Sequence, residues 1–364
     1  MNLRIDISGN LMGKGRRSHM AISEKNKIWL QRLRNASSAG TSHASRVTVA
    51  AGLLIGVAML FSGWKQPETA FLRTLYDTGN LFLKLIVPVL ATFSAYGVSG
   101  KTGIGPGAAV GITAGVCGAG FFGALGGGLI AGYLTALFMR IPVFGRHEKL
   151  SAIVIAPIFI GIPCALLMGF VLAKPTIWLN DAYTAGFDFL QKKAPWILGA
   201  LLGIICQYDF GGPLSKSIGL FCLQAVTVGN WMPEAVKIAT ACTPQLSIAI
   251  ALSVGGRKLW SEDQLMGRKN LWTGGCFMVS EYCIPYTSAN RAVHVATIVA
   301  TGLTGALCAV FDIDSYCTSA GLLAAVLTTK PLYFLAAIAI GALAGTAIIL
   351  LSKLTKREDK SPPE

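Results

Sequence analysis

Two short polar segments interrupt long apolar stretches of the sequence, and each of them carries a carboxylate. The first is DFGGPLSK, which runs from Asp209 to Lys216 directly after an apolar run. The second begins at SEYCIPYTSAN, where Glu281 stands between apolar flanks, and it continues to His294. If those flanks lie in a bilayer, a carboxylate there costs roughly 2.5–3.5 kcal/mol on insertion scales. Such a residue needs either a partner or a function.

The residue types in the two segments suit the recognition of a polyhydroxylated ligand such as a sugar. Every sugar hydroxyl both donates and accepts a hydrogen bond, so its site needs carboxylates beside amides and hydroxyls. We predict no catalytic residue, no metal ligand and no cofactor. The predicted substrate-binding residues are Asp209, Gly211, Gly212, Ser215, Lys216, Glu281, Ser288, Asn290 and His294.

Structural explanations for the titratable residues remain open beside this hypothesis. Asp209 and Lys216 could form a loop-closing ion pair at the membrane surface. Glu281 could form a structural pair with Arg291 or His294. A histidine such as His294 is, by itself, more often a satisfied core or interface residue than a ligand.

The composition places the chain in lipid. Of its 364 residues, 53% are hydrophobic and only 13% are charged, and the mean hydropathy is +0.59. Soluble domains are far more polar. The net charge of +14 comes mostly from Lys and Arg at the termini and between apolar runs, where such residues orient membrane helices. We therefore expect no nucleic-acid partner, and a protein in contact with membrane lipid.

The apolar runs have the length of membrane-spanning helices. A bilayer core requires about 20 apolar residues per helix. The glycine-rich stretch from Gly103 to Met139 is too long for one crossing, so it predicts two close-packed helices joined near Gly118 to Gly123. The runs of suitable length are Val47–Gly63, Leu81–Val98, Ser151–Ala173, Pro233–Val254, Val293–Phe311 and Pro331–Leu351.

These runs predict an all-α polytopic membrane protein with about 8–10 transmembrane helices plus two re-entrant hairpins. The hairpin tips would be the two polar segments, because non-helical backbone at membrane depth must be buried in protein or line a watery cavity. The nine cysteines lie scattered in apolar stretches without a CxxC pair. They indicate reduced core residues and not a disulfide frame or metal site.

The distribution of basic residues predicts on which side of the membrane the loops and the two terminal segments lie. Residues 1–45 form a basic arm, for which we expect a cytoplasmic location and a short amphipathic surface helix around Lys27 to Leu33. The basic stretches Arg140–Lys149 and Gly255–Asn270 and the tail from Lys353 to Glu364 should share that side. Residues 46–352 would then form the membrane domain, with both termini cytoplasmic and an even number of crossings.

Several motifs resemble one family of membrane proteins. DFGGPLSK, SEYCIPYTSAN and PVLATFSAYGVSGKTGIGPG resemble enzyme IIC, the membrane subunit of the fructose-type bacterial phosphotransferase system. GALGGGLIAGYL is similar to the glycine-rich helix of that family, and WSEDQLMGRKN resembles its charged cytoplasmic loop. The resemblance extends from about Arg46 to Leu351, with the five motifs in the family's order.

The resemblance implies a function and partners. Family members take up a hexose or hexose-like sugar, and a separate IIB protein phosphorylates it with a phosphoryl group that arrives through IIA. It also implies a homodimer in the bacterial inner membrane, with a scaffold domain and an elevator-type transport domain. We expect no phosphorylated residue on this chain, because its polar loops lack the exposed, activated cysteine that a IIB phosphocysteine needs. This chain would instead hold the sugar hydroxyl in line with the phosphocysteine of the IIB partner.

Three departures from the family pattern bear on the substrate. Asn290 and Arg291 stand where the family commonly has an acidic residue followed by proline, Tyr282 replaces a glycine, and Ser215 replaces an amide side chain. We therefore expect a fructose-like sugar and do not specify fructose itself. Two rival hypotheses are a secondary transporter coupled to protons or sodium through Glu281 or Asp209, and a membrane sugar sensor that does not transport.

Overall fold

The computed structural model describes residues 8–141 and 148–358, without the side chains of residues 8–34, 148, 151, 213, 214, 216, 217 and 356–358. The beginning of the basic arm (residues 1–7), most of the first basic loop (142–147) and the end of the tail (359–364) therefore lie outside the described residues. Within these ranges the structure consists of helices joined by turns and loops, and its β-structure is one isolated bridge between Ser315 and Thr328. The predicted all-α class is confirmed.

In the described residues the α-helices follow one another along the chain, and the last two are separated by the longer segment 311–330. Three 3₁₀ turns lie at Gly100–Gly103, Ser280–Cys283 and Gly321–Leu327, and three π-helical turns at Ser151–Ile155, Pro157–Gly161 and Met168–Leu172. The α-helices are α1 (Ser8–Phe61), α2 (Ala70–Ser99), α3 (Ile104–Val116), α4 (Gly120–Phe138), α5 (Glu148–Leu150), α6 (Ile162–Leu167), α7 (Ala173–Lys193), α8 (Pro195–Gln207), α9 (Pro213–Thr227), α10 (Met232–Leu259), α11 (Glu262–Met266), α12 (Arg268–Phe277), α13 (Ile284–Ala289), α14 (Arg291–Val310) and α15 (Pro331–Glu358).

Seven helical stretches of the described chain are long and apolar enough to cross a membrane. Two of them, with 47 and 42 residues, are about twice as long as the roughly 20 residues that one crossing needs. The prediction of a polytopic membrane protein is confirmed. The seven are Asn35–Phe61, Ala70–Val116, Gly120–Phe138, Ala152–Lys193, Met232–Leu259, Arg291–Val310 and Pro331–Thr355.

The N-terminal arm differs from its prediction. In place of a short surface helix around Lys27 to Leu33, α1 runs without a break from Ser8 to Phe61, so that arm and first span form one helix of 54 residues. Hydroxyl groups of this helix donate to carbonyl oxygens one turn earlier, as Ser and Thr often do inside helices. Thr41 Oγ1 donates to the Ser37 carbonyl at 2.7 Å, and Thr48 Oγ1 donates to the Ala44 carbonyl at 3.0 Å.

The chain divides into two compact units. Unit 1 comprises Met1–Ser42, Pro88–Cys117 and Gly123–Leu172; unit 2 comprises His43–Val87, Gly118–Phe122 and Ala173–Glu364. The predicted boundaries at residues 45 and 352, and the division into scaffold and transport domains, stay predictions. Both polar segments lie in unit 2.

Unit 1 packs through glycines, as the glycine-rich sequence indicates. Helix α3 ends at Val116 and α4 begins at Gly120, so the two predicted helices are joined at residues 117–119, at the beginning of the predicted stretch Gly118 to Gly123. Cβ atoms added to Gly111 of α3 and to Gly132 of α4 would lie only 2.7 Å from Pro88 Cα and 2.8 Å from Ala95 Cα of α2. Small residues permit such close helix contacts in membranes.

Unit 2 is built around α10, the most deeply buried of the seven stretches. Hydroxyl groups connect it to neighbouring helices, as polar side chains do in lipid. The Thr243 hydroxyl of α10 lies 3.0 Å from that of Thr304 in α14, and Thr346 of α15 donates to the Ser247 carbonyl at 2.9 Å.

Helices α8 and α14 pack closely in unit 2, because glycines on both sides allow the two backbones to approach each other. A Cβ added to Gly199 would collide with the Gly305 carbonyl oxygen, and one added to Gly203 would collide with the Thr301 carbonyl oxygen. We call this pair of helices the glycine-packed pair. The first polar segment follows α8, and the second ends where α14 begins.

Candidate functional site

The first polar segment is a turn that ends α8 and begins α9, and Asp209 organises it. Asp209 Oδ1 accepts a hydrogen bond from the Ser215 backbone N–H at 3.1 Å, within the first turn of α9. The Asp209 carbonyl accepts from the Gly212 N–H at 3.1 Å. Pro213 occupies the first helical position, which suits proline since no intrahelical N–H bond is lost there. Asp209 thus caps α9 from four residues before its first residue.

The two glycines of this turn lie between carboxylates. Gly211 has a φ of +95°, which L side chains rarely adopt, and a Cβ there would lie 3.0 Å from Glu281 Oε1. A Cβ on Gly212 would collide with the Asp209 carboxylate. The turn therefore brings Glu281 of the second segment against Gly211, beside Asp209. The structure places the two segments, 72 positions apart in sequence, at one site.

The second polar segment consists of short helical pieces between α12 and α14. Met278, at a φ of +53°, ends α12, the 3₁₀ turn Ser280–Cys283 carries Glu281, and α13 follows. The Glu281 side chain is exposed. Among the described side chains it has no ion pair or hydrogen bond, and so the proposed structural pair with Arg291 or His294 is not observed.

Asn290 is the N-cap residue of α14 and, like Asp209 at α9, accepts a hydrogen bond from a backbone N–H of the first turn. Its Oδ1 accepts a hydrogen bond from the Ala292 N–H at 3.0 Å, in the usual geometry of an N-cap residue. The acceptor is thereby occupied by backbone, while the Nδ2 group keeps its donors. Ser288 lies two residues earlier, exposed near the end of α13.

His294 connects the two segments through aromatic contacts. Its ring lies 5.6 Å from that of Tyr208 and 5.7 Å from that of Phe210, with interplanar angles of 74° in both pairs. Edge-to-face pairs of this kind favour packing. His294 thus packs between aromatic rings, which agrees with the alternative that it is an interface residue. It also adjoins the predicted site.

Ser215 and Lys216 lie in the first turn of α9. Ser215 is half-buried, and its backbone N–H is the group that binds Asp209. The Lys216 side chain lies outside the described residues, so its predicted pair with Asp209 stays a prediction. Seven of the nine predicted residues cluster around the turn, the Glu281 segment and the start of α14; these are Asp209, Gly211, Gly212, Ser215, Glu281, Asn290 and His294.

Sequence reasoning missed several polar features of unit 2. Gln207 and Gln245 are buried, with polar atoms that have no hydrogen-bond partner among the described residues. The buried Glu234 and the partly buried Lys237 form an ion pair within α10. The signal for the pair was present, because residues three apart on a helix are neighbours. The glutamines could have been noticed as polar residues inside apolar runs.

An acidic cavity of about 360 Å³ lies at the opposite end of α14 from His294. The 18 residues from His294 to Asp312 correspond to roughly 27 Å along a helix. Burial, helped by the neighbouring Asp312, raises the pKa of the Asp314 carboxyl to about 6, and Lys330 opposes the shift. The cavity is lined by Tyr183, Thr184, Phe187, Asp188, Gln191, Ala225, Val228, Gly229, Asn230, Asp312 and Asp314.

Comparison with known proteins identifies the family. Over 342 residues the chain is 28% identical to the "Fructose-like permease IIC component 2" of Escherichia coli (strain K12), covering 92% of this chain and 95% of the relative. It is 32% identical to the "Fructose permease IIC component" of Bacillus amyloliquefaciens, over 74% of this chain and 88% of that protein. The chain belongs to the fructose-type IIC permeases of the phosphotransferase system. No protein-family model matches it.

Some relatives of this IIC permease are longer proteins. The "PTS system fructose-specific EIIABC component" of Bacillus subtilis (strain 168) is 29% identical over 85% of this chain, which spans 50% of that relative. The IIC permease thus matches one part of a multi-component protein there.

The structure shows where the residues that depart from the family pattern lie in this IIC permease. Asn290 keeps the N-cap function that an acidic residue would serve, whereas Arg291 at the first helical position lacks the fixed φ of a proline. The Tyr282 ring lies against Gly274 of α12, with Cδ2 2.7 Å from the place of a Cβ on that glycine. The tyrosine therefore fills space between the Glu281 turn and α12.

Proposed function

We propose that this IIC permease binds a fructose-like hexose at the junction of its two polar segments and carries it across the membrane for phosphorylation by a separate IIB protein. The observation that supports this most is the approach of the Glu281 carboxylate to Gly211, beside the capping Asp209. A carboxylate without a protein partner among the described residues, beside a helix N-terminus, offers both acceptors and donors to sugar hydroxyls.

Each predicted site residue has a proposed role. Glu281 accepts from sugar hydroxyls. The Asn290 Nδ2 group donates, since its Oδ1 is occupied by the cap of α14. Asp209 holds the Gly211–Gly212 turn in place for the sugar. The remaining members of the proposed site, with secondary contacts, are Ser215, Lys216, Ser288 and His294.

The proposed partners follow from the names of the relatives. EIIABC proteins such as the Bacillus subtilis relative combine A, B and C components in one chain, which supports separate IIA and IIB partners here. The IIC permease would supply position and not covalent chemistry, because phosphoryl transfer depends mainly on alignment and on charge stabilisation. We also propose a homodimer in the bacterial cell membrane, with scaffold and transport domains and with both termini on the cytoplasmic side, where basic loops are retained.

Reconstitution tests the function. The purified IIC permease is placed in vesicles with fructose outside, with and without a cognate IIB, IIA and phosphoenolpyruvate-driven phosphoryl supply inside. We expect sugar phosphate to accumulate inside only when IIB is present. Free sugar accumulating without IIB under an imposed proton or sodium gradient would instead establish a secondary transporter. Binding of sugar without flux in either case would establish a sensor.

A further inference from the structure

Unit 2 contains three buried glutamines whose side chains differ in their hydrogen bonding. Gln224 is paired: its Nε2 donates to Asn180 Oδ1 at 3.0 Å, and its Oε1 accepts from the Thr227 hydroxyl at 3.3 Å. Gln207 Nε2 has one contact, with Cys206 Sγ at 3.7 Å. Gln245 is fully buried, and neither polar atom of its amide has a partner among the described residues.

An amide without partners in a buried position destabilises a protein. Its donors and its acceptor lose their bonds to water on burial and gain nothing in return, whereas an apolar side chain of the same shape would avoid that loss. Packing alone therefore gives no reason for a glutamine at position 245. A ligand with hydroxyl groups would use both ends of the amide.

The position of Gln245 connects it to the Glu281 segment. Gln245 Cγ lies 3.5 Å from the place of a Cβ on Gly274 of α12. The Tyr282 ring and the Val279 carbonyl oxygen, at 2.7 Å and 3.0 Å, lie against the same glycine. Val279 directly precedes the 3₁₀ turn Ser280–Cys283, which carries Glu281, and Tyr282 belongs to that turn. The turn itself packs against α10. Gln245 thus lies behind the proposed sugar site.

Pro244 makes this part of α10 adaptable. A proline inside a helix has no N–H, so the carbonyl of Thr240 lacks its usual intrahelical donor. In membrane helices such positions are tolerated where neighbouring groups satisfy the freed carbonyl. The helix can therefore adjust locally next to Gln245.

We infer that Gln245 is a substrate-binding residue that selects among sugars by the arrangement of their hydroxyls. When sugar binds at Glu281, the turn Ser280–Cys283 moves away from α10, and the Gln245 amide donates to one hydroxyl and accepts from the next. This inference rests on the proposed function and adds a second contact region to it. The preferred ligand is a polyhydroxylated hexose with two neighbouring free hydroxyls facing α10.

The test compares Gln245→Met with Gln224→Met in the purified full-length protein. Titration calorimetry measures binding of fructose and of a panel of hexoses and hexitols, and thermal unfolding measures stability. We expect Gln245→Met to lower affinity for the preferred sugar by about tenfold, the effect of one net hydrogen bond, with an equal or higher melting temperature. Gln224→Met should do the opposite, lowering the melting temperature with affinity unchanged.

Deoxy analogues of the preferred sugar provide a second measurement. Wild-type protein should bind one deoxy analogue about tenfold more weakly than the parent sugar, and Gln245→Met should bind the two equally. If Gln245→Met does not fold, Gln245→Asn, which keeps a shorter amide, should change the order of preference within the panel.

Two results would overturn the inference in different ways. Wild-type affinities and wild-type discrimination in Gln245→Met, with raised stability, would make Gln245 a purely structural residue and leave the proposed function intact. Failure of the wild-type protein to bind any sugar of the panel would remove the proposed function, and the role of Gln245 with it.

Discussion

At the scale of single residues, the candidate site separates side chains that hold the backbone from side chains that are free for a ligand. Asp209 and Asn290 are both used as caps, one for α9 and one for α14. Glu281 belongs to the other group, since none of the described side chains binds it. This division explains how an asparagine can stand at position 290, because asparagine and aspartate are both good N-caps.

Glu281→Gln should weaken sugar binding strongly. The amide keeps the shape of the side chain but removes the charge, and charge-assisted hydrogen bonds are about twice as strong as neutral ones. Calorimetric titration should show at least a tenfold loss of affinity, which is about 1.4 kcal/mol, with unchanged expression and melting temperature. Asp77→Asn, at an exposed residue beside Arg73, is the matched control and should bind as wild type. Unchanged affinity in Glu281→Gln would remove this residue from the site.

The residues of the site were predictable by type but not by partner. Glycine, proline and carboxylates between apolar runs indicated both segments, because such residues are costly inside a membrane helix. The contact of Glu281 with Gly211 could not be predicted from the sequence, because it depends on how α8 and α14 pack. Nor does composition distinguish a paired glutamine such as Gln224 from an unpaired one such as Gln245.

At the scale of elements, the turn between α8 and α9 depends on one backbone conformation. Gly211 has a φ of +95° and lies against the Glu281 carboxylate. Helix boundaries here followed from sequence, since Gly-Gly-Pro both ends one helix and begins the next. The start of α1 did not, because the basic arm has no apolar periodicity that would indicate a long helix, and yet α1 begins at Ser8.

Gly211→Ala should weaken both the fold and the site. The new Cβ forces an unfavourable φ, at a cost of roughly 1–2 kcal/mol, and it pushes against Glu281 Oε1. We expect a lower melting temperature and a sugar affinity reduced at least tenfold. The control is Gly219→Ala in α9, where a Cβ has nothing within 4 Å and helix propensity favours alanine. Equal behaviour of the two variants would contradict the assigned geometry.

At the scale of the whole molecule, the membrane class and the family were accessible from the sequence, and the two units were not. Hydropathy and charge determine how helices insert. Each unit, however, combines three separate pieces of chain, and such long-range packing leaves no periodic pattern in a single sequence. The acidic cavity was missed for the same reason, since Asp188, Asn230 and Asp314 come from distant segments.

Protonation of Asp314 should make the stability of the protein depend on pH. Its folded pKa of about 6 exceeds the ordinary value of 3.8, so its contribution to stability is complete below about pH 4 and is lost as the pH rises through 6. The free energy of unfolding should fall by an amount on the order of 1 kcal/mol from pH 5 to pH 7. Thermal unfolding should show a melting temperature that falls over the same range. Asp314→Asn should flatten this dependence, whereas the exposed Asp77→Asn should retain it. An identical slope in wild type and Asp314→Asn would refute the assignment.

The glycine-packed pair has a mechanical consequence. Side chains between two helices can change rotamer and let the helices slide, but Gly199 and Gly305 meet through their backbones and have no rotamers to change. Asp209, just after α8, and His294, at the start of α14, are therefore attached to one rigid pair of helices. Whatever motion delivers a sugar across the membrane should carry both polar segments together, with the bending assigned to the turns beyond the ends of the two helices.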